Sequence, residues 1–394
     1  MKKRTIYTTL LLWGIVSIAL GQQQLPSNLQ SILRHAQPGD LVELPDFLST
    51  EFPKVAWKKT VVPGPQFLIS DDPEYIRIPE AIAMQEAVSP GAVRLYVYNV
   101  NGVKEPQKIP RKITAVLKNT GKEELHLRML KYSSQKPSTN YFQIGKQGLA
   151  DYFGSQVNGG IRKVKPGEVI ALDEQLEKNV VQYDELVHGF YEFIVDQPAL
   201  IAILQTDPGK SGPKAFSEID TLIPHSHVNA GRGIFPIANY KIDSRDTLST
   251  AQGVQQLILA DGNDDPWITG TIGVDRQPAK NAGNYGVMYD TSIKWKSTDG
   301  KGMALVTWNS RSADNQWCGG MGLTVELFDE AGVKTIKQMP AKHLITRKAP
   351  EAIVLGVYKP VPGKTVQEIK LTYSPPGASC LPTPLVLVPV DLDE

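Results

Sequence analysis

The chain has few of the residues that mark several common protein classes. Two of its 394 residues are cysteine and six are histidine, and 42 basic residues stand against 41 acidic ones. A nucleic-acid-binding protein concentrates Lys and Arg to meet the phosphates, and this sequence has neither such an excess nor a basic stripe. The composition therefore argues against nucleic acid as a partner.

The sequence also lacks the familiar catalytic motifs. It contains no Gly-x-Ser-x-Gly, no His-Glu-x-x-His and no Walker loop. A glycosidase needs two carboxylates at a set separation, which is a distance in space rather than in sequence. We predict a protein that is not an enzyme. An extracellular hydrolase without a familiar motif stays open as an alternative.

Only one long apolar run occurs, at the amino terminus. Three basic residues at 2–4 precede an apolar run from Ile6 to Leu20, and Ala19 and Gly21 place small side chains at a cleavage site. This is the pattern of a secretory signal peptide, with an uncleaved membrane anchor as the alternative. We expect removal of residues 1–21, which takes three basic residues from 42 and leaves 39 against 41 acidic ones, a net charge of −2. The mature chain is expected to be secreted or extracytoplasmic, at the cell surface or in the periplasm, without a membrane span.

The two cysteines are Cys318 and Cys380. In an exported protein two cysteines are usually joined as one disulfide. Closing a loop of roughly 60 residues, it would stabilise the fold by about 4 kcal/mol. A pair of buried thiols is the alternative.

Strand-forming residues and turn signals alternate through most of the chain. The segment from Arg94 to Val100 is typical of a strand, and Asn101-Gly102 after it is typical of a hairpin turn. Eight short strand-like segments follow Gly253. The pattern predicts an all-β protein of two tandem β-sandwiches, Ig-like or jelly-roll-like, after a signal peptide and a short N-terminal helix.

The predicted order of segments follows from these signals. It is a signal peptide at 1–21, a helix and Pro-rich linker at 22–60, a first sandwich at 61–208 and a second sandwich at 209–394. The helix is capped by Ser27 and carries apolar residues at helical spacing, namely Leu29, Ile32, Leu33 and Ala36. Residues 145–153 are predicted to form a single helical turn that closes an open end of the first sandwich.

Four short blocks carry a resemblance to a known group of proteins. They are Gly-Pro-Gln-Phe-Leu-Ile-Ser-Asp-Asp-Pro-Glu-Tyr at 64–75, Gly-Lys through Asp-Tyr-Phe at 145–153, Arg-Gly-Ile-Phe-Pro at 232–236 and Asn-Tyr-Gly-Val-Met-Tyr at 284–289. Over about residues 61–300 the chain resembles secreted bacterial proteins labelled copper amine oxidase N-terminal-domain proteins. The resemblance implies an exported envelope or extracellular protein. It implies no oxidase, because Tyr141, Tyr240 and Tyr285 follow Asn but precede Phe, Lys and Gly instead of the Asp or Glu of the quinone motif.

Tryptophan is concentrated in one part of the chain. Trp267, Trp295, Trp308 and Trp317 are four of the six, and the last two bracket a polar loop. Flat aromatic faces beside fixed amide, guanidinium and carboxylate groups suit a sugar ring. The predicted glycan site therefore consists of Trp267, Trp308, Arg311, Asp314, Asn315 and Trp317. The alternative places these indoles in the second core, and it is favoured for Trp295 and Trp308, which lie in alternating strands.

Two patterns are weaker candidates for metal sites. His225 and His227 would face the same way in a strand, without an evident third ligand. Asp261, Asn263 and Asp265 alternate as in the first half of a calcium loop, although the rest of the EF-hand pattern is missing. A calcium site outside the EF-hand class and a plain Asx-rich turn both remain open. No other cofactor is expected.

The sequence therefore predicts a non-catalytic protein that is secreted or associated with the cell envelope. Its expected partner is a cell-wall or extracellular polysaccharide, bound through the second sandwich. The competing hypothesis is an assembly module that docks on another envelope protein by strand addition. An exposed aromatic cleft would favour the first hypothesis, and a long bare edge strand would favour the second.

Overall fold

The computed structural model describes residues 27–44, 52–157, 159–225, 228, 231–273, 275–307, 320–340, 345–346, 351–379 and 381–392. Within these ranges the chain is mostly strand, which confirms the all-β prediction. No helix in the same ranges has both the length and the apolar character needed to cross a membrane. The predicted signal peptide and both cysteines, Cys318 and Cys380, lie outside the described residues.

Helices and strands are numbered here in chain order. The helices are α1 (Ser27–His35), α2 (Tyr141–Gly154), α3 (Glu174–Lys178) and α4 (Gly212–Glu218). The strands of the first half are β1 (Leu41–Glu43), β2 (Trp57–Val62), β3 (Gln66–Ser70), β4 (Tyr75–Ile76), β5 (Ala81–Val88), β6 (Gly91–Asn101), β7 (Lys112–Asn119), β8 (Leu125–Ser134), β9 (Arg162–Val164), β10 (Val169–Ala171), β11 (Leu186–Val195) and β12 (Ala199–Thr206). Those of the second half are β13 (Arg232–Phe235), β14 (Asn239–Ser244), β15 (Leu248–Ser249), β16 (Gln255–Leu259), β17 (Thr269–Ile272), β18 (Gln277–Lys280), β19 (Met288–Lys296), β20 (Gly302–Thr307), β21 (Gly320–Met321), β22 (Leu323–Phe328), β23 (Lys334–Met339), β24 (Ile345–Thr346), β25 (Glu351–Tyr358), β26 (Gln367–Tyr373) and β27 (Thr383–Val390).

Two sheets form the first sandwich. A four-stranded sheet has the order β10-β7-β12-β5, and a nine-stranded sheet has the order β18-β17-β13-β3-β6-β11-β8-β9 with β4 beside β6. Alternate residues of each strand point into the space between the sheets, as Leu95 and Val97 do on β6 and Ile201 and Ile203 do on β12. These side chains are fully buried and form the core of the first sandwich.

The second sandwich is built in the same way. A seven-stranded sheet has the order β2-β14-β19-β26-β22-β23 with β15 beside β19, and it faces a five-stranded sheet of order β1-β25-β20-β27-β16. Trp295, Leu305 and Ile369 lie in the core between them. The outer face of the five-stranded sheet is covered by α1, through Leu29 and Leu33.

Sheet membership crosses the predicted segment boundaries in both directions. Strands β1 and β2, from the predicted helix-and-linker segment, belong to the two sheets of the second sandwich. Strands β13, β17 and β18, from the predicted second sandwich, extend the nine-stranded sheet of the first. The two sandwiches are therefore interleaved in sequence, because each takes edge strands from the segment that was assigned to the other or to the linker.

The two predicted helical segments differ in outcome. Helix α1 begins at Ser27 as predicted, with Leu33 buried, but Ile32 is 43% exposed and lies off the packed face. Helix α2 is a 14-residue helix instead of a single turn, and the side chain of Asn140 caps it by accepting from the Gln143 N–H at 3.2 Å. It lies between β8 and β11 of one sandwich and β22 and β23 of the other, where its buried residues fill the seam. It therefore joins the sandwiches instead of closing one open end.

Candidate functional site

The predicted aromatic site is described only in part. Trp295 is 1% exposed and lies in the second core. This agrees with the alternative that places its indole in the core. Trp267 is half-buried, its ring lies on Gly262, and its indole N–H donates to the Ala260 carbonyl at 3.2 Å. The remaining predicted ligands lie outside the described residues: Trp308, Arg311, Asp314, Asn315 and Trp317.

The loop predicted as a calcium candidate uses its carboxylates within the fold. Asp261 accepts backbone N–H groups from Asn263 at 3.0 Å, Asp264 at 3.2 Å and Asp265 at 2.8 Å. Asp265 is fully buried and accepts from the Tyr289 hydroxyl and the Ala260 N–H, both at 2.7 Å. These contacts make an Asx-rich turn, the alternative that the sequence left open. The calcium hypothesis for Asp261, Asn263 and Asp265 stays a prediction.

No third metal ligand for the predicted histidine pair is found among the described residues. His225 is exposed, and His227 lies outside the described residues. Among the residues that are described, no three side chains of His, Cys, Asp or Glu are grouped so that they could hold a metal ion. The metal hypothesis for His225 and His227 stays a prediction without structural support.

A shallow groove lies where β2 meets the loop that carries Trp267. It has a volume of about 510 Å³ and is lined by Lys54, Val55, Ala56, Trp57, Lys59, Arg245, Asp264 and Pro266. Trp57 is the first residue of β2, at the edge of the seven-stranded sheet, and its side chain is half-buried. We call this the Trp57 groove. It brings a half-buried indole onto the second sandwich, beside the loop that the sequence singled out.

Two lysines fix the walls of the Trp57 groove. Lys54 pairs with Asp264 across it, and Lys59 pairs with the buried Asp265. The Lys59 ammonium also lies 3.8 Å from the centre of the Tyr240 ring, a cation–π contact. The segment at 54–59, which includes Trp57, is thereby tied to the loop at 261–267.

One cationic group in this groove has no partner within the described chain. Arg245 is exposed, and although its backbone N–H donates to Ala56, its guanidinium makes no hydrogen bond or ion pair there. An indole face beside an open guanidinium offers stacking and directed donors to one ligand. The sequence reading missed both Trp57 and Arg245, since residues 44–65 looked like a Pro-rich linker. The aromatic and β-branched residues of the Trp-Lys-Lys-Thr-Val-Val run at 57–62 were the signal that marked a strand there.

A buried ionic network spans the seam between the sandwiches. The Arg94 guanidinium donates to Glu192 Oε1 at 2.6 and 2.9 Å and to the Ala238 carbonyl at 2.7 Å. The Tyr152 hydroxyl of α2 donates to the same Glu192 oxygen at 2.5 Å. Burial is the largest effect on Glu192 and opposes its ionisation. The charges of Arg94 and Lys131 and the hydrogen bonds from Arg94 and Tyr152 together outweigh burial and hold the pKa of that carboxyl below its usual value. Every group has an internal partner, so the network holds β6, β11, α2 and the start of β14 together.

The four blocks of the resemblance meet near this seam. The first and third are neighbours, since Ser70 pairs with Arg232 and the Asp71 N–H donates to the Gly231 carbonyl at 2.7 Å. The second and fourth both touch the loop at 374–379, where Gly145 lies against a backbone carbonyl and the Tyr285 hydroxyl donates to Ser379 at 3.3 Å. The blocks therefore share one structural region, in which the two sandwiches are joined.

Comparison with known proteins finds only distant structural likenesses. No protein family matches the chain, and no curated protein matches it. Among solved structures, the oxalate decarboxylase of Lactobacillus farciminis in a formate complex aligns over 92% of this chain and 90% of its own, with 10% identity and a TM-score of 0.17. The CUB1-EGF-CUB2 region of human MASP-1/3 aligns over 75% and 99%, with 8% identity and a TM-score of 0.19. The oxalate decarboxylase of Bacillus subtilis at pH 4.6 aligns over 92% and 79%, with 11% identity and a TM-score of 0.15. Likenesses this distant carry no argument about activity.

Proposed function

We propose that this chain is an exported, non-catalytic protein that binds a cell-wall or extracellular polysaccharide through the Trp57 groove. The observation that supports the proposal is the half-buried Trp57 indole beside the Arg245 guanidinium, which has no partner in the part of the chain that the structure describes. A sugar ring has an apolar face and a polar rim, so one ring would stack on the indole while its hydroxyl or acidic groups accept from the guanidinium.

The shape of the groove favours a polymer over a small enclosed ligand. It is open along the edge strand β2, and Trp57 and Pro266 form an apolar strip between charged residues. A chain of sugars would lie along such a strip with several rings in contact. Because Lys54 and Lys59 are already bound to the loop, the walls are fixed before the ligand arrives.

The carboxylates of this groove suit binding better than catalysis. Asp264 lines the groove, its neighbour Asp265 is fully buried, and each is bound to a lysine. A general acid beside a glycosidic bond has to hold its proton near neutral pH, usually through burial without a counter-charge. Both of these carboxylates instead have a lysine as their counter-charge.

The test is binding of the full mature chain to an array of cell-wall and extracellular polysaccharides. Trp57→Ala should lower binding at least tenfold, because stacking is lost, and Trp57→Phe should restore part of it. Arg245→Met should weaken binding to acidic polysaccharides most. Arg128→Met is the matched control, since Arg128 is exposed on β8, away from the groove.

The same samples test the absence of catalysis. Bound polysaccharide should show no new reducing ends after prolonged incubation. Release of reducing ends that depends on the folded chain would contradict the non-catalytic part of the proposal. Polysaccharide binding that Trp57→Ala leaves unchanged would contradict the site, and an envelope protein bound in place of any polysaccharide would favour the assembly alternative.

A further inference from the structure

A second groove lies on the first sandwich, separate from the Trp57 groove. It runs between the edge strand β5 of the four-stranded sheet and strands β13 and β17 of the nine-stranded sheet, and its volume is about 570 Å³. Ile234, Phe235 and Pro236 form an apolar wall, and Glu86 and Arg276 are the charged residues in the lining. We call it the Glu86 groove.

Glu86 is a buried carboxyl that forms no ion pair among the described residues. It is 3% exposed, and one of its oxygens accepts the Gly273 N–H at 2.8 Å. Two nearby charges have opposite effects on it, Arg232 on β13 and Asp275 in the turn after β17. Burial dominates and raises the pKa of Glu86 to about 7. A cation that entered the groove would pair with this carboxyl.

Arg276 presents the opposite charge in the same groove. It is exposed at a φ of 51°, and within the described residues its guanidinium has no hydrogen bond or ion pair. It does not pair with Glu86. The groove therefore displays one negative and one positive group at separate points along an apolar wall.

The other end of the groove is closed by a fixed contact. The Gln66 side chain donates to the Ser89 carbonyl at 2.8 Å and accepts the Ser89 N–H at 2.9 Å, so both of its polar atoms are occupied. Gly270 brings β17 close to β13, since a Cβ there would lie 2.2 Å from the Ile234 carbonyl oxygen. The groove is thus preformed, and Glu86 and Arg276 are its unpaired charges.

We propose that the Glu86 groove binds a short peptide segment that places a protonated amine at Glu86 and a carboxylate at Arg276. A volume of about 570 Å³ accommodates a few residues, whose apolar parts would contact Ile234 and Pro236. A sugar would leave both charges unpaired, and a simple anion would meet the Glu86 carboxylate. A ligand with both charges satisfies the two ends together.

The proposal implies that binding depends on pH in one direction. The amine needs Glu86 ionised, and the facing groups are Arg232, Asp275 and Arg276. Guanidinium groups stay charged in proteins, so Glu86 is the group that changes around neutrality. With a pKa of about 7, the ionised fraction rises about tenfold between pH 6 and pH 8, and the affinity should rise with it.

The experiment uses the full mature chain and a defined probe, N-acetyl-Lys-Ala-Ala with a free carboxylate. Binding is followed by calorimetry and by the amide resonances of Gly270 and Gly273, at pH 6 and pH 8. Two companion probes remove one charge each, with norleucine in place of lysine or an amide in place of the carboxylate. We expect each companion to bind about tenfold more weakly than the intact probe at pH 8, and the intact probe to bind about tenfold more weakly at pH 6.

Variants test whether Glu86 binds the amine of the probe and Arg276 binds its carboxylate. Glu86→Gln should abolish the preference for lysine over norleucine and the dependence on pH, and Arg276→Met should abolish the preference for the carboxylate. Glu43→Gln and Arg128→Met are the matched controls, since both residues are exposed outside the groove. Trp57→Ala should leave peptide binding unchanged, which separates this site from the proposed glycan site.

Four results would overturn the peptide proposal. One is the absence of probe binding up to about 10 mM, a ceiling for a specific short ligand. Another is equal binding of all three probes. The third is a Glu86→Gln protein that melts like the parent and still prefers lysine. A neutral oligosaccharide that shifts the Gly273 resonance when the probe does not would also decide against it.

Discussion

His188 shows how a single buried side chain sets the acid stability of this fold. It lies fully buried on β11, with edge contacts to the Tyr96 and Tyr98 rings at 5.0 and 5.9 Å between ring centres. Neither of its nitrogens has a hydrogen-bond partner within the described residues. Burial lowers the pKa of His188 to about 3, so the folded chain resists protonation there.

Replacing His188 by Leu should therefore change the pH dependence of stability. Below about pH 6.5 the unfolded histidine takes up a proton that the folded one does not, so the parent loses stability as the pH falls towards 3. His188→Leu removes this loss and should be more stable than the parent by about 2–3 kcal/mol at pH 4.5, relative to their difference at pH 7. Urea unfolding at the two pH values measures it.

His225→Gln is the control for this experiment, because His225 is exposed. Its unfolding curve should follow that of the parent at both pH values. Equal losses of stability in the parent and in His188→Leu between pH 7 and pH 4.5 would show that His188 accepts a proton in the folded state.

Glu86 should make stability depend on pH in the opposite direction from His188. Its pKa in the folded chain is raised from 4.5 to about 7, so the folded chain holds a proton that the unfolded chain releases between these values. Stability should therefore fall as the pH rises from about 4.5 to 7. Glu86→Gln keeps an acceptor for the Gly273 N–H and should be about 2–3 kcal/mol more stable than the parent at pH 8, with little difference near pH 4. Thermal unfolding at both pH values checks this, and a variant less stable than the parent at pH 8 would contradict it.

At the scale of elements, helix α2 depends on glycines that permit close contact. A Cβ at Gly148 would lie 2.4 Å from two atoms of the His188 ring, and one at Gly145 would lie 2.8 Å from the Gly377 carbonyl oxygen. The sequence predicted only one helical turn here, since Gly weakens a helix and the surrounding strands suggested a plug. The apolar spacing of Leu149, Tyr152 and Phe153 was present in the sequence. The second sandwich against which they pack was not visible there.

Gly148→Ala tests this close contact. Alanine favours the helix by about 1 kcal/mol over glycine, but its Cβ would displace the fully buried His188, so we expect a net destabilisation of about 2–4 kcal/mol. Gly154→Ala is the matched control in the same helix, because its Cβ would meet Ile336 at an ordinary 3.5 Å. Guanidinium unfolding of both variants gives the comparison. Equal stability of the two would mean that His188 has room to move.

The ionic network around Arg94 is a second feature that holds the elements of the seam together. Arg94→Met would leave the half-buried Glu192 and the buried Tyr152 without the guanidinium that holds them. Loss of one partner from a buried pair costs about 3–5 kcal/mol, so we expect a destabilisation of that size. The exposed pair of Lys163 and Glu124 is the control, and Lys163→Met should change stability little. Urea unfolding measures both variants, and similar small effects would show that the network adds nothing to the seam.

At the scale of the whole molecule, alternation and turn signals were sufficient to predict an all-β sandwich protein. They did not predict which strands share a sheet. Strand β2 pairs with β14 nearly two hundred residues later, from Val62 opposite Asn239 to Trp57 opposite Ser244. Neither periodicity nor turn chemistry carries information about such a distant partner, and the prolines around β2 made it look like a linker.

The candidate site, too, was predicted from the sequence only in part. Trp267 and the loop at 261–265 stood out in the sequence, and both lie beside or along the Trp57 groove. Trp57 and Arg245 reach that groove only through the pairing of β2 with β14, so no local pattern could bring them together. The carboxylates of the loop looked like cation ligands because their backbone and lysine partners were not yet known.

The most direct test of a glycan site on the second sandwich is the affinity of the full mature chain and of Trp57→Ala for the same polysaccharide, measured side by side by calorimetry. We expect measurable binding by the parent and by Arg128→Met, and at least tenfold weaker binding by a Trp57→Ala protein that melts like the parent. Equal affinity of the parent and of Trp57→Ala would contradict a binding site at Trp57.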